Sequence, residues 1–344
     1  MRTFLAQYWF LAALVAMLAL GTWAHGPLSG LAAATWLRDG NMALVLFVMS
    51  LPLEFSALWR TLKRPAAPLL ATAVSYILAP LAAICLAPLL GKEFGPGLLV
   101  AAATPCTMAS AAVWTRKAGG NDAVSLVVTA ITNIVCFLVT PTLLVWTAGE
   151  AARGVSIPVA PLMKDLMLFV VLPIFAGQLA RLIGPVGDFA SRQKYLLSMV
   201  AQCGILFMVL LAAIKTGQRL AAPGEAAGTT FEFALMIIAV AGLHLFLFYA
   251  GLGLARLCNL EREDRLAVGF CGSQKTLMVG LRVADDCGFS VLPMICYHVL
   301  QLFIDTILAE RLKASEPPTA EPAKMPDARS KSKNPARKRK QKRR

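Results

Sequence analysis

Charged side chains are scarce in this sequence. Lys, Arg, Asp and Glu together make up 15% of the 344 residues, whereas soluble domains contain about 25%. Histidine occurs only three times, and none of the eight cysteines belongs to a CxxC motif. The low charge argues against an ordinary soluble enzyme. The scattered histidines and cysteines argue against a zinc site or a disulfide framework.

Apolar residues take the place of the missing charge. They make up 58% of the chain, and the mean hydropathy is +0.66. A membrane helix needs about 20 mainly apolar residues in a row. Ten stretches come close, near 4–24, 41–59, 66–90, 97–115, 123–148, 166–183, 195–214, 233–255, 266–283 and 288–309. We therefore predict an all-α integral membrane protein with ten transmembrane helices. The first stretch exceeds a usual signal-peptide core, so we expect a retained helix.

Basic residues between the predicted spans indicate the orientation. With the N-terminus in the cytoplasm, the cytoplasmic loops contain twelve Lys and Arg, and the opposite loops contain seven. Short cytoplasmic loops are typically enriched in Lys and Arg. We therefore predict a multi-pass protein of the cell (inner or plasma) membrane, with both termini cytoplasmic.

A basic tail, residues 314–344, follows the predicted membrane domain, residues 1–313. It contains 11 of the 33 basic residues and only three acidic ones. Because it has few apolar residues to bury, we expect it to be disordered. A solvated tail that fixes the topology is the favoured interpretation, and binding to anionic lipid head groups is the alternative. Since the excess positive charge is largely a tail property, no nucleic-acid partner is expected.

Ten spans can divide into two halves of five, at about residues 1–150 and 160–311. An odd number of spans in each half places the halves in opposite orientations, as in many secondary transporters. The polar centres of spans four and nine, at Pro105 and Gly272, are 167 residues apart. The halves begin near Phe4 and Leu166, 162 residues apart. The similar spacing predicts two inverted five-helix repeats.

Spans four and nine have unusually polar centres. Pro105 interrupts a helix because it lacks an N–H and clashes with the preceding turn, and two glycines weaken the centre of span nine. Carbonyls freed in this way are tolerated in a membrane only where they line a cavity or pack against protein. The candidate binding residues of these centres are Thr104, Thr107, Ser110, Ser273, Gln274, Lys275 and Thr276.

Span five adds a polar face. Ser125, Thr129 and Asn133 recur every four residues, so they lie on one side of a helix. Such residues often only bond to neighbouring membrane helices. Beside a broken span four, however, they predict a shared ion or substrate site whose oxygen atoms suit Na⁺. Elsewhere, Asp305 lies near the predicted end of span ten, where pairing with basic loop residues and a role in transport are the two alternatives. His244 and His298 are expected to be helix-packing donors.

Two segments resemble a known family. "TPCTMASAAVWTRKAGGNDAVSLVVTAITN" and "FCGSQKTLMVGL" are similar to the bile acid:sodium symporter family. The closer resemblance is to the symporter branch that contains the seventh-member vertebrate homologues. The resemblance covers about residues 1–311. It implies a panel and a core subdomain, with spans four and nine unwound and crossing in the core. It also implies Na⁺-driven transport of organic anions, chiefly sterol-type acids.

The resemblance also implies sodium ligands. It assigns Ser110, Ser125 and Thr129 to a first Na⁺ site and Gln274 to a second, with no other cofactor. Four positions depart from the family pattern. The family has Asn after Ser110 and Glu in span nine, where this chain has Ala111 and Phe270. It has Asn after Gln274 and Gln in span three, where this chain has Lys275 and Ser75. Negative and neutral ligands are thus lost, and a cation is gained.

Three functions compete on this sequence. The leading prediction is a secondary transporter, symporter-like, that moves a small organic anion of bile-acid-like or related chemistry, coupled to Na⁺ or H⁺. The second is a non-transporting regulator of ion homeostasis on the same fold. The third is an intramembrane hydrolase using Ser273 and Lys275, although residues two apart on a helix diverge by about 200°. Lys275 could occupy the place of a sodium ion, face an anionic substrate or lose its proton. We favour the hypothesis that it replaces at least one coupling ion and helps to attract the anion.

Overall fold

The computed structural model describes residues 2–53, 61, 63–108, 110–151, 157–221 and 229–314. The predicted basic tail beyond residue 314 lies outside the described residues. All regular structure within the described ranges is helical. This agrees with the predicted all-α class.

The α-helices follow one another closely along the chain. They are α1 Arg2–Trp23, α2 Ser29–Ala33, α3 Thr35–Ser50, α4 Ala66–Ala73, α5 Ala79–Leu86, α6 Gly91–Ala103, α7 Ser110–Lys117, α8 Asp122–Ala151, α9 Val159–Leu166, α10 Leu172–Arg181, α11 Gly184–Arg192, α12 Lys194–Ala221, α13 Thr230–Leu257, α14 Arg262–Ser273, α15 Leu277–Asp286 and α16 Leu292–Ala314. Single π turns at Val74–Leu78 and Met167–Val171 join α4 to α5 and α9 to α10.

Six helical segments of the described chain are long and apolar enough to cross a membrane. They are Ala66–Ala103, Asp122–Thr147, Val159–Arg181, Lys194–Ala221, Thr230–Leu257 and Leu292–Lys313. The first contains parts of two predicted spans, because Gly91, with φ +63°, turns the chain at the start of α6. The remaining predicted spans fall on α1, on α3 and on the broken pair α14 and α15. The count of ten crossings and the inverted repeat remain predictions.

The helices pack as two groups. In the first helix group, α1 packs against α12, α12 against α3, and α3 against α10, which continues α9. The second helix group contains α4 to α8 and α13 to α16. There α14 packs against α13, α4 and α8, and α16 packs against α13 and α6. The panel and core subdomains that the family resemblance implies remain a prediction.

Close packing of α1 on α12 depends on a glycine. A Cβ atom at Gly21 would lie 2.6 Å from the Cβ of Ala213 and 2.9 Å from the carbonyl oxygen of Leu210. Both distances are shorter than van der Waals contact. The absence of a side chain at Gly21 therefore sets how near the two helices lie.

Gly21→Leu is expected to destabilise the protein, since the added side chain must push α1 away from α12. Overpacking of this kind costs about 1–3 kcal/mol. The apparent melting temperature of the purified protein in detergent should fall by several degrees. Gly242→Leu is the matched control, because a Cβ at Gly242 meets no atom within 4 Å. An equal fall in both variants would contradict this account of the α1–α12 contact.

Candidate functional site

Two interrupted helices meet inside the second helix group. Helix α6 ends at Ala103, and Thr104 is extended, with φ −78° and ψ 155°. Helix α14 ends at Ser273, and Gln274 is extended in the same way, with φ −76° and ψ 140°. The backbone N–H of Thr276 donates to the carbonyl of Pro105 across 2.9 Å. The polar centres of the sequence thus mark two helix breaks that touch each other.

The ammonium of Lys275 lies in a cage of oxygen atoms. Its Nζ donates to the carbonyls of Ser75, Ala102 and Thr104 over 2.6, 2.8 and 3.1 Å. It also donates to the Ser75 hydroxyl over 3.0 Å. The Tyr76 ring centre lies 5.8 Å away, within cation–π range. Lys275 is fully buried, so these protein atoms replace the water that would otherwise surround its charge.

The cage depends on irregular backbone from two places. The Ala102 and Thr104 carbonyls come from the C-terminal end of α6, where carbonyls lack helical partners and carry partial negative charge. The Ser75 carbonyl belongs to the π turn Val74–Leu78. π turns disturb the usual backbone bonding and often occur at functional sites. The helix break and the π turn together supply three main-chain acceptors to one cation.

The Gln301 side chain forms hydrogen bonds with both backbone groups of Lys275. The Gln301 side chain accepts from the Lys275 N–H over 2.9 Å and donates to the Lys275 carbonyl over 3.0 Å. It also contacts His298 Nδ1 at 2.9 Å. Gln301 is completely buried. It therefore satisfies both polar groups of an unwound residue that a helix would otherwise have paired.

Gln274 joins the two breaks to a buried acid. Its Oε1 accepts from the hydroxyls of Thr107 and of Ser110, the latter over 2.8 Å. Its Nε2 donates to Asp305 Oδ2 over 2.6 Å. The other oxygen of Asp305 contacts His244 Nε2 at 2.9 Å. A continuous chain of hydrogen bonds therefore runs from α7 through the break to α16 and α13.

Of the two interpretations of Asp305, pairing with basic loop residues is not what the structure shows. Asp305 is fully buried between His244 and Gln274. The register of α16 turns it inward rather than towards the loops. His244 also lies 3.3 Å from the carbonyl of Ser273, so it bonds to neighbouring helices, as the sequence suggested.

The polar residues of span five have different partners. Ser125 donates to the Thr115 hydroxyl over 2.8 Å, and Thr129 donates to the Leu126 carbonyl over 2.9 Å. Asn133 donates from Nδ2 to the Cys106 carbonyl over 2.8 Å. Its Oδ1 is buried with no hydrogen-bond partner among the described residues. Only Asn133 of this face therefore bonds directly to the break after α6.

The sodium ligands implied by the family resemblance are not gathered by hydrogen bonds. Ser110 contacts Gln274, whereas Ser125 and Thr129 bond elsewhere. The described residues contain no cluster of three or more His, Cys, Asp or Glu able to hold a metal ion, whereas the ligands that the resemblance implies for Na⁺ are hydroxyl and amide oxygens. The cation that these helix breaks do surround is the protein's own ammonium.

Ser273 and Lys275 do not form a nucleophile–base pair. The Ser273 hydroxyl donates to the Gly269 carbonyl over 2.9 Å, whereas the Lys275 ammonium is directed into its oxygen cage. The Ser273 carbonyl instead accepts from the Tyr297 hydroxyl over 2.7 Å. The geometry gives no support to an intramembrane hydrolase.

A cavity of about 240 Å³ separates the two helix groups beside the crossing. Thr107, Ser110 and Thr276 contribute polar atoms from the breaks. The lining is otherwise mainly apolar and aromatic, and it carries no Lys, Arg, Asp or Glu among the described residues. The full lining is Trp9, Phe10, Leu46, Met49, Thr107, Met108, Ser110, Val113, Trp114, Ser198, Gln202, Ile205, Thr276, Leu277, Met278, His298, Leu302 and Thr306.

The sequence indicated part of this site and missed the rest. Thr104, Thr107, Ser110, Gln274, Lys275 and Thr276 do lie at the crossing. Gln301, Tyr297 and the Ser75 carbonyl were missed. Gln301 and Tyr297 lie on an apolar span whose proline, Pro293, stands in the first turn of the helix and does not interrupt its centre. A Gln in the middle of such a span is itself a signal. No sequence pattern predicted the π turn that presents Ser75.

Comparison with known proteins agrees with this architecture. The SBF-like CPA transporter family matches residues 8–314. "Uncharacterized protein PA2026" of Pseudomonas aeruginosa is 28% identical over 317 residues, which cover 88% of this chain and 92% of that protein. "Probable sodium/metabolite cotransporter BASS4, chloroplastic" of Oryza sativa subsp. indica is 29% identical, over 63% of this chain and 54% of that protein. "Sodium/bile acid cotransporter 7" of Xenopus tropicalis is 22% identical, over 63% and 64%.

The apolar segments long enough to cross a membrane and the family match together indicate a multi-pass membrane transporter. The chain belongs to the SBF-like CPA transporter family. This confirms the resemblance to the bile acid:sodium symporters. The family is one of transporters, so the enzyme alternative falls away.

Gln301→Met should destabilise the protein, because it leaves the N–H and carbonyl of Lys275 buried without partners. An unsatisfied buried polar group costs about 1–3 kcal/mol. Thermal unfolding in detergent should therefore shift clearly to lower temperature. Gln202→Met is the control, since Gln202 lies on the cavity wall and makes a single 3.5 Å contact with Ser198. If both variants melt like the wild type, Gln301 does not stabilise the break.

Proposed function

We propose that the protein is a secondary active transporter that carries a small organic anion across the membrane, driven by a cation gradient. The observation that carries this proposal is the buried Lys275 ammonium, enclosed by oxygen atoms directly behind the wall of the cavity. A lysine at membrane depth costs at least about 2.5 kcal/mol on insertion scales. A purely structural position would be occupied at lower cost by an apolar residue.

Lys275 takes the place of one coupling ion in this proposal. Sodium is bound by oxygen atoms, and the Lys275 cage consists of three carbonyls and a hydroxyl. A sodium ion about 5 Å away would be repelled by roughly 3 kcal/mol at an effective dielectric constant of about 20. A Na⁺ ion bound near Gln274 would therefore lie close to the Lys275 ammonium and be repelled by it. The coupling gradient supplies at most one Na⁺ in each cycle, or protons instead.

The cavity is the proposed substrate site. It lies between the two helix groups, where a movement of one group against the other would expose it to either side of the membrane. Its apolar wall suits a hydrocarbon body, and its hydroxyl groups suit a polar end. The names of the rice and frog relatives refer to sodium with metabolites or bile acids. A bile-acid-like anion is the proposed substrate class, although this chain spans only about half to two thirds of those relatives.

The proposed setting is the cell membrane, with ten crossings in two inverted halves and both termini in the cytoplasm. The excess of Lys and Arg in the loops on the N-terminal side supports this orientation. The basic tail adds to the same side. Contact of the tail with anionic head groups is part of the proposal, since about 1 kcal/mol per basic residue is available near such a surface.

Lys275→Ala should abolish or severely reduce anion uptake into proteoliposomes. The measurement uses labelled bile acids and shorter organic anions with imposed Na⁺ or pH gradients. Lys275→Arg should restore little, because the planar guanidinium is too large for a cage built around a compact ammonium. Wild-type uptake should depend on Na⁺ with no more than first-order steepness, or on the pH gradient.

Lys92→Ala is the control for this experiment, because Lys92 is exposed at the start of α6. It should leave uptake unchanged. Uptake that rises with the square of the Na⁺ concentration and survives Lys275→Ala would overturn the proposed role of Lys275. An absence of uptake for all anions with correctly inserted wild-type protein would favour the regulatory alternative.

Reporter fusions test the proposed topology. A reporter attached after Lys313 should lie in the cytoplasm, and one inserted after Ala221 should lie on the opposite side. The two positions are separated by three predicted crossings, so they must differ if the count is right. Finding both reporters on one side would refute the inverted-repeat arrangement.

A further inference from the structure

A network of charged side chains joins the helix groups away from the cavity. Three cations and four carboxylates take part: Arg38, Lys215 and Arg282 with Asp39, Asp165, Asp285 and Asp286. We call this set the charge network. Its residues lie at the N-terminal end of α3, in α9, near the C-terminal end of α12 and at the C-terminal end of α15. Four helices thus meet through charge at one end of the molecule.

Most contacts of the charge network cross from one helix group to the other. Arg282 of α15 binds Asp39 of α3 and Asp165 of α9. In the reverse direction, Lys215 of α12 donates to Asp285 over 2.6 Å. Arg38 of α3 likewise binds Asp285 and, over 3.1 Å, Asp286. The C-terminal end of α15, a helix of the second group, is therefore tied to three helices of the first group.

Other ion pairs of the described residues have a different arrangement. Arg116–Asp122, Lys117–Glu310 and His244–Asp305 each lie within the second helix group. Breaking them would leave the position of one group relative to the other unchanged. The cross-group links of the charge network are of another kind, because they must break if the groups separate at this end.

The charge network and the cavity occupy different depths of the same helices. On α12 the cavity is lined by Ser198, Gln202 and Ile205, whereas Lys215 is further along by about 15 Å at 1.5 Å per residue. On α15 the cavity is lined by Thr276, Leu277 and Met278, and Arg282 follows about one turn later. The cavity also reaches the exposed Val113 and the first turns of α1. The cavity thus lies nearer the N-terminal side, and the charge network lies towards the opposite side.

The strength of the charge network suits a reversible closure. Its side chains are 14–34% exposed, apart from Arg282 at 4%. Partly exposed ion pairs are individually weak, so several cross-group links together can favour one conformational state without locking it. Water can also replace the lost contacts when the charges separate, which keeps the open state accessible.

A small void lies just inside the charge network. It measures about 30 Å³ and is lined by Arg38, Lys215 and Asp285 together with apolar residues that include several of α12. One or two water molecules fit such a volume. The helix groups therefore leave a small space beside the ion pairs, although the apolar residues that line it are themselves buried.

We propose that the charge network is a gate that closes the cavity on the side opposite the N-terminus. In the described conformation the gate is shut and the cavity opens towards the N-terminal side. Separation of the C-terminal end of α15 from α3, α9 and α12 breaks the gate and opens the other side. The inference rests on the proposed transport function for its purpose. Whether these ion pairs keep one side of the cavity closed can be measured without any substrate.

The test measures access to the cavity from each side. Ile205→Cys places a thiol on the cavity wall, and a membrane-impermeant maleimide is applied to right-side-out or inside-out vesicles. Mass spectrometry of the labelled peptides identifies each modified cysteine. The native Cys258 is exposed at the C-terminal end of α13. It should be labelled from the N-terminal side alone in every variant, and it therefore checks the sidedness of the vesicles.

With the charge network intact, the thiol introduced by Ile205→Cys should react from the N-terminal side and very slowly from the opposite side. Arg282→Gln removes the cation that binds three carboxylates, so reaction from the opposite side should rise about tenfold. A tenfold shift corresponds to about 1.4 kcal/mol, and the variant loses two cross-group links, to Asp39 and to Asp165. Arg282→Lys should give an intermediate rise, because an ammonium lacks the fork that reaches several carboxylates.

Lys117→Gln is the matched control, since it removes an ion pair within the second helix group, and it should leave labelling from the opposite side unchanged. If Arg282→Gln does not accumulate in the membrane, Asp165→Asn decides the matter by removing one cross-group link. The gate is overturned if these variants label like Lys117→Gln, or if the introduced thiol already reacts rapidly from the opposite side while the charge network is intact. Absence of uptake in proteoliposomes would overturn the transport function without affecting this labelling result.

Discussion

A cation held without water inside a membrane must be surrounded by protein oxygen atoms, and the centre of this molecule is arranged around that requirement. The Lys275 ammonium uses three main-chain carbonyls that regular helices would have kept for themselves. Breaking α6 supplies two of them, and the π turn before α5 supplies the third. The unwound backbone of Lys275 then needs partners of its own, which Gln301 provides. The irregular backbone thus supplies acceptors to the ammonium, and Gln301 in turn supplies partners to the irregular backbone.

The buried core contains one basic and one acidic side chain close together, Lys275 and Asp305. Asp305 lies behind Gln274, the residue that precedes Lys275, and it contacts His244 on its other side. The cavity wall in front carries only neutral groups among the described residues. A solute entering the cavity therefore meets hydroxyls and aromatic rings, while the formal charges lie behind them. The residues that contact the solute are therefore different from the residues whose charges produce the electric field in the cavity.

The sequence predicted the breaks well because their causes are local. Pro105 and the glycines around Cys271 act on their own turns of helix, and hydropathy alone located the surrounding segments. The partners of Lys275 were harder, since they come from residues 75, 102 and 104, of which two offer only backbone atoms to the cage. Asp305 was misplaced because hydropathy gives the ends of a helix to within a turn, and one turn decides whether a carboxylate faces a loop or the interior. The sodium ligands implied by the resemblance remain a prediction, since Ser125 and Thr129 bond to other partners.

The π turn at Val74–Leu78 affects which mutations can remove the oxygen cage of Lys275. A π turn contains one residue more than the α-helical turn it replaces, and the residue five after Ser75 is Pro80, which has no N–H to donate to the Ser75 carbonyl. Three of the four cage oxygens belong to the main chain. Point substitutions at Ser75, Ala102 or Thr104 would therefore leave those oxygens in place, whereas deletion of a single residue between 74 and 78 would restore an α-helical turn and remove one of them. Over long divergence the cage can persist beneath changing side chains, and the changes expected to break it are a gap in the π turn or the replacement of Pro80.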